Sequence, residues 1–269
     1  VLIEDLLYTT ENSLIVQSLH SQLGVEPTNG DGFGVGWYDD RPTPGRYRST
    51  EPAWNDRNLR EVAGHIRSPM VLAHVRASTG TPVQLTNCHP FRHGPWLWMH
   101  NGGLAGFSAM KRDLLLAVAP QLFPHIEGST DSELFFYLAL TFGLESDPPA
   151  AVARAVGLIE EVGRQHGQQF PVQMTVATTD GDTLWAFRYS TEGRSRSLFR
   201  STDISVLREQ YPDNPVLHRL SDDARLVVSE PLGGLRGAWH EVPESTCIVI
   251  RHGQEEFLPF APTVLEPVG

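Results

Sequence analysis

The order of hydrophobic patterns along the chain constrains its fold more than any single motif does. Strand-like runs rich in β-branched and aromatic residues come first, at 33–38, 70–76 and 95–100. Helix-like runs follow at 108–119, 132–144 and 150–166. In the last, Val152, Val156, Ile159 and Val162 share one face at helical spacing. Strand-like runs return at 172–179, 183–189, 224–230 and 246–252, and Asp180-Gly181 marks a hairpin between the first two. Two further helical runs, 11–23 and 54–66, lie among the early strands. Strands, then a block of helices, then strands again predict an α+β fold of antiparallel sheets with helices on their outer faces. A doubly wound parallel sheet would alternate its elements instead.

With 269 residues the chain can bury a substantial core, and no stretch within it reads as a linker, so one domain over 1–269 is expected. No run of 18 consecutive apolar residues marks a membrane span. The formal charge of −11 argues against a nucleic-acid partner, which wants clustered Lys and Arg. Residues 1–13 carry neither a basic region nor a small-residue cleavage site, so no secretory signal is expected there. Cys88 and Cys247 cannot make a disulfide framework, which favours the reducing cytoplasm. No zinc-ribbon, metalloprotease or phosphate-loop pattern is present, so neither metal nor organic cofactor is expected.

Several short stretches can carry chemistry, and each has a plain alternative. The glycines of NGDGFGVG (29–36) alternate along a strand, which suits either a tight strand entry or the close approach of a backbone or ligand around Asp31. Arg76 ends a strong apolar strand, with Ser78 and Thr79 just beyond. It offers a fork of donors to a carboxylate, or makes a structural ion pair. Cys88 beside His89 invites a nucleophile and base, but neighbours in a strand point to opposite faces. In GSTDSE (128–133), Thr130 and Glu133 form a capping-box pattern. Asp131 then serves the helix start or binds an ammonium group. In HNGG (100–103), where the apolar run 95–100 stops, Asn101 and Gly102 make a turn or supply two amide donors to an oxyanion.

Five motifs in order, DGFGVGWY (31–38), AHVRASTG (73–80), NCHPF (87–91), HNGGLAGF (100–107) and STDSE (129–133), resemble the amidotransferase domain of the class II glutamine amidotransferases. These are a branch of the N-terminal-nucleophile hydrolases. VVSEPL (227–232), with Trp239 and Val242 downstream, is similar to the stand-alone bacterial subgroup, which includes a γ-glutamyl hydrolase of ergothioneine synthesis. The resemblance implies a four-layer αββα sandwich of two antiparallel sheets. It implies that Arg76, helped by Ser78 and Thr79, binds the α-carboxylate of glutamine or a γ-glutamyl amide. Asp131 would bind the α-ammonium, Asn101 and Gly102 would form the oxyanion hole, Asp31 would line the site, and His89 would shape the pocket.

The family's nucleophile is an N-terminal Cys whose own α-amine acts as base. This chain starts at Val1, so the expectation is an upstream segment of roughly ten residues carrying that Cys. Glutamine amidotransfer or γ-glutamyl amide hydrolysis is then the implied activity. The alternatives are an inactive binder of glutamine-like ligands and an ammonia-supplying subunit that works with a synthase partner.

Overall fold

The computed structural model describes residues 1–78 and 80–263. Its largest sheet has six antiparallel strands in the order β12-β11-β7-β6-β5-β4. These are β4 (Phe91–His93), β5 (Trp96–Leu104), β6 (Val172–Thr179), β7 (Thr183–Ser190), β11 (Thr246–Arg251) and β12 (Gln254–Pro259). The second β layer is divided. One three-stranded sheet has the order β2-β1-β3, from β1 (Phe33–Trp37), β2 (Gly45–Ser49) and β3 (Val71–Val75). The other has the order β10-β8-β9, from β8 (Phe199–Ser201), β9 (Val227–Val228) and β10 (Trp239–Glu241).

Helices cover both outer faces. On the large sheet lie α3 (Phe107–Leu116), α4 (Asp131–Thr141) and α5 (Pro148–Gln165). They bury Leu114, Phe135, Phe136 and Ile159 against Trp98, Met174, Val176 and Phe187 of the sheet. Leu97, Ala186 and Ile248 point the other way and meet Tyr38 and Leu72 between the β layers. The short helices α1 (Leu14–Leu19) and α2 (Arg57–Ala63) flank the far side of the β1 sheet, where Phe33, Val35, Leu59 and Ala63 are buried together. Two more, α6 (Ile204–Gln210) and α7 (Pro215–Arg219), close the end next to Val1. The expected αββα order holds.

Two local expectations need correction. The strand read as ending at His100 runs on through Asn101, Gly102 and Gly103 to Leu104, paired throughout with β6. HNGG is therefore in-strand backbone and not a turn. Secondly, Thr130 caps α4 by accepting from the Glu133 amide at 3.1 Å, but Glu133 does not complete the box. Its carboxylate folds back to accept from the amides of Glu127 and Gly128 at 3.0 and 2.6 Å. The glycine question at 29–36 is answered by contact: a Cβ on Gly34 would stand 2.1 Å from the His89 carbonyl oxygen. The glycines let β1 lie directly on the 89–90 backbone.

No helix among the described residues is long and apolar enough to cross a membrane.

Candidate active site

The β5 segment HNGG organises the site. Strand amides alternate in direction, and here the alternation can be read from two hydrogen bonds. Ala105 N–H donates to Pro171 O at 2.9 Å, toward the β6 side. Leu104 N–H donates the opposite way, to Asp131 Oδ2 at 2.8 Å. Gly102, two residues before Leu104, shares the latter direction. Its amide faces an edge that β4 leaves uncovered, because β4 pairs only with Trp96, Leu97 and Trp98. Gly102 takes φ +144°, and a Cβ there would stand 1.9 Å from Gln173 O, so no other residue fits.

Asn101 is held by its side chain. His74 on β3 donates from Nε2 to Asn101 Oδ1 at 3.0 Å. That contact turns the amide nitrogen of Asn101 outward, where it has no hydrogen-bond partner among the described residues. Burial holds His74 neutral, with its pKa lowered to about 4. His100, also buried and pushed below its ordinary value by desolvation, donates from Nε2 to Gln173 O at 3.2 Å and accepts at Nδ1 from Ser132 Oγ at 2.9 Å. This ties β5 to the start of α4, where Asp131 sits. Asp131 Oδ1 accepts from Ser132 N–H at 2.8 Å.

A cavity of about 580 Å³ opens here, lined by Gly102, Gly103, Asp131, Thr81, Gln173 and Arg196 among others. A second, more apolar cavity of about 540 Å³ runs between the β layers past Val1, His74 and Asn101. Asn101 lines the second cavity and Gly102 the first, so these neighbours on β5 mark where the two cavities approach each other.

Arg76 is buried and turned into its own loop. Its guanidinium donates to Asp31 O at 3.2 Å, to Ser78 Oγ at 3.1 Å and to Thr81 Oγ1 at 2.6 Å. Asp31 Oδ2 accepts from Ser78 N–H at 2.7 Å. Arg76, Asp31 and Ser78 thus shape the loop whose Thr81 reaches the cavity, and none of the three lines it. Thr79 lies outside the described residues. His89 is buried between His74 and Phe91, ring centroids 4.3 and 4.5 Å away, with no partner for either ring nitrogen among the described residues. Cys88 lines neither cavity; its thiol is buried against Ser49 O at 3.3 Å, and desolvation raises its pKa. Cys247, buried in the helix-side core, is pushed up to about 12. Neither is placed or ionised as a nucleophile.

Three contributors carried no sequence-based role. His74 lay inside a quoted motif, as did Asn87. Buried Asn87 donates to Pro82 O at 2.9 Å and accepts from Ser129 N–H at 2.9 Å, joining the Arg76 loop to the approach of α4. Arg196 lies far downstream in a loop with no motif.

The sequence profile of the family described as "Glutamine amidotransferases class-II" matches residues 8–265. The chain belongs to the class II glutamine amidotransferases. The amidotransferase is 35% identical to a Saccharomyces cerevisiae protein named "Probable glutamine amidotransferase DUG3", over 91% of this chain and 77% of that one. It is 30% identical to the γ-glutamyl-hercynylcysteine sulfoxide hydrolase of Mycolicibacterium smegmatis, over 84% of this chain and 92% of that one. Among solved structures, a class II glutamine amidotransferase domain protein from Silicibacter pomeroyi superposes with a TM-score of 0.71 at 38% identity, covering 86% of this chain and 92% of that chain. The Bacillus subtilis glutamine phosphoribosylpyrophosphate amidotransferase shares the fold, with a TM-score of 0.58 at 15% identity over 87% of this chain and 44% of that one. The amidotransferase is thus a hydrolase-type enzyme on an N-terminal-nucleophile fold.

Proposed function

We propose that this amidotransferase hydrolyses γ-glutamyl amides through a cysteine thiolate carried on a strand upstream of Val1. The observation that carries the reading is the position of Asn101 and Gly102. One borders the more apolar cavity between the β layers, the other the cavity at Asp131, and both present amide donors.

The cavity between the β layers suits a strand. Its walls include β3 and β9, each at the edge of its own sheet. Val1 already pairs with Ser68, accepting from its amide at 3.0 Å. Continued upstream, that antiparallel pairing follows β3 past His74. At about 3.3 Å per residue, roughly eight residues reach the level of Arg76. A cysteine at the head of such a strand lies beside Asn101.

In the proposed reaction the α-amino group of that cysteine takes the thiol proton, and the thiolate adds to the γ-carbonyl carbon. The displaced electron pair settles on oxygen and meets the Asn101 Nδ2 and Gly102 amides. Collapse breaks the C–N bond, and the amine leaves with the proton held by the α-amino group. Water then cleaves the thioester, releasing glutamate and restoring the thiol. Asp131 holds the substrate ammonium. Arg76 serves the α-carboxylate through the Ser78–Thr81 loop it braces, with Asp31 and Thr79 as parts of that loop. His74 and His100 are held neutral and position Asn101 and the start of α4, while His89 packs between His74 and Phe91. The free thiols of Cys88 and Cys247 suit a reducing cytoplasm.

The test is hydrolysis of glutamine and γ-glutamyl amides by the full-length protein. Turnover that is lost when the upstream Cys becomes Ala, and kept within about threefold in Cys88→Ala, supports the reading. Loss in Cys88→Ala with the upstream residue intact and the fold preserved contradicts it.

A further inference from the structure

Two edge strands meet along a seam of arginines. β2 is the outer strand of its three-stranded sheet, and β4 is the outer strand of the six-stranded one. Arg48 donates to Cys88 O at 3.2 Å and Arg46 to Pro90 O at 3.1 Å. Arg92 returns the tie, donating to Pro44 O at 3.0 Å. The pairs 48–88, 46–90 and 44–92 step by two in opposite directions, so the two segments run antiparallel. Side chains two apart on a strand share a face and stand about 7 Å from each other. The three guanidiniums therefore line one seam, in the order Arg48, Arg46, Arg92.

These charges are fixed in place and uncompensated. Each tie uses one of the five N–H donors of its guanidinium. The remaining donors have no hydrogen-bond partner among the described residues, and none of the three arginines forms an ion pair there. Arg46 and Arg48 are half-buried, while Arg92 is exposed and opens the seam to solvent. The stem of Arg48 lies flat on β1, where a Cβ on Gly34 would stand 2.8 Å from its Cγ. Burial, with the charges of Arg48 and Arg92, lowers the pKa of Arg46 to about 10. The carboxylates whose fields reach the seam are those of Glu127 and Glu133. Glu127 is exposed, and Glu133 is occupied by the amides of Glu127 and Gly128. Joining two strands needs no charge, since a neutral amide side chain also donates to a carbonyl. Three partly desolvated guanidiniums held in one another's field, with donors to spare, are arranged for an anion.

We propose that the Arg46–Arg48–Arg92 seam binds a small multivalent oxyanion, one that carries two or more phosphate or carboxylate groups. The site is separate from the cavity at Asp131, which none of the three arginines lines. It stands independently of the γ-glutamyl hydrolase reading, because it involves none of the groups assigned to that reaction.

The experiment is isothermal titration calorimetry of the full-length protein with pyrophosphate and, separately, with tricarballylate, at ionic strength held constant with KCl. One anion per chain binds, and the tighter of the two probes identifies phosphate or carboxylate as the preferred group. Arg46→Gln and Arg92→Gln each weaken binding about 10- to 100-fold, the range for loss of a charged hydrogen-bonded contact. Arg196→Gln, in the other cavity, leaves it within about twofold. Gln keeps a donor for the Pro90 and Pro44 carbonyls, and urea unfolding checks that each variant is folded. Should Arg46→Gln fail to fold, the exposed Arg92 still gives the answer. A wild type that binds neither probe at about 10 mM overturns the proposal. Unchanged binding in folded Arg92→Gln overturns it as well. So does binding that is lost in Arg196→Gln and kept in the seam variants, which would move the anion to the Asp131 cavity.

Discussion

His74 Nε2 stands 3.0 Å from Asn101 Oδ1, and this contact decides which end of the Asn101 amide faces outward. Two layers of the sandwich meet in it, since His74 is on β3 and Asn101 on β5. His74→Leu removes the donor and frees the amide to rotate. A misaimed oxyanion donor affects the transition state more than the bound substrate. The expected result is a fall in kcat of about 10- to 100-fold with KM for a γ-glutamyl amide within about threefold, partly recovered in His74→Gln. A rise in KM with kcat unchanged would assign His74 to binding.

Gly102 and Gly103 respond differently to the same substitution. A Cβ on Gly102 meets Gln173 O at 1.9 Å and His100 Nε2 at 2.8 Å, on a backbone with φ +144°. A Cβ on Gly103 meets only Asp131 Oδ2, at an ordinary 3.6 Å. Gly102→Ala should lose about 3 kcal/mol or more, whereas Gly103→Ala should melt within a few degrees of wild type at roughly 1 kcal/mol or less. Thermal unfolding followed by circular dichroism separates the two.

Asp131 accepts from the Leu104 and Ser132 amides and, in the proposed reaction, also holds the substrate ammonium. Asp131→Asn keeps the shape but removes the charge offered to an ammonium. We expect KM for a γ-glutamyl amide to rise about 10- to 100-fold while kcat changes far less. Steady-state kinetics read this directly. An equal fall in kcat would place Asp131 nearer the reacting carbonyl.

Two buried histidines, His89 and His100, and the half-buried His74 set a pH dependence. Desolvation lowers the pKa of His74 to about 4, and pushes His89 and His100 below the ordinary histidine value of 6.5. The unfolded chain therefore binds more protons than the native state once the pH drops below about 6.5, so stability falls as pH decreases toward about 4. Urea unfolding at pH 7 and pH 5 should show the loss. His89→Gln should flatten it, because His89 has no ring-nitrogen partner among the described residues to stabilise its charged form. Equal stability at both pH values would mean that the imidazoles titrate freely.

The layers were legible because burial imposes periodicity. The helix α5 follows its apolar spacing, and the Asp180-Gly181 hairpin follows its turn chemistry, with Gly181 at φ +102°. The short strands β2, β4, β8, β10 and β12 were not legible. Three to six residues carry too little alternation, and β12, with Glu255 and Glu256 at its centre, reads as a polar loop. HNGG misled for a physical reason. Glycine pairs normally signal turns, but here Gly102 is required by the Gln173 carbonyl of the neighbouring strand, a contact between residues far apart in sequence. The strand end at Arg76 left a carboxylate site and a structural role both open, and only the resemblance implied the former; in the structure the guanidinium donates to the hydroxyls of the following loop. Arg196 had no local signal, and only the β5–β6 register places it beside Gly103.

The proposed mechanism needs a cysteine upstream of Val1 that would reach Asn101 through the cavity between β3 and β9. Its most direct test is covalent labelling of the full-length protein with a chloroketone analogue of glutamine, followed by peptide mass spectrometry. The prediction is one adduct per chain, on a cysteine preceding Val1, suppressed by excess glutamine and absent from Cys88 and Cys247. Glutamine-protected labelling of Cys88, or glutamine turnover with that upstream cysteine unlabelled, would contradict it.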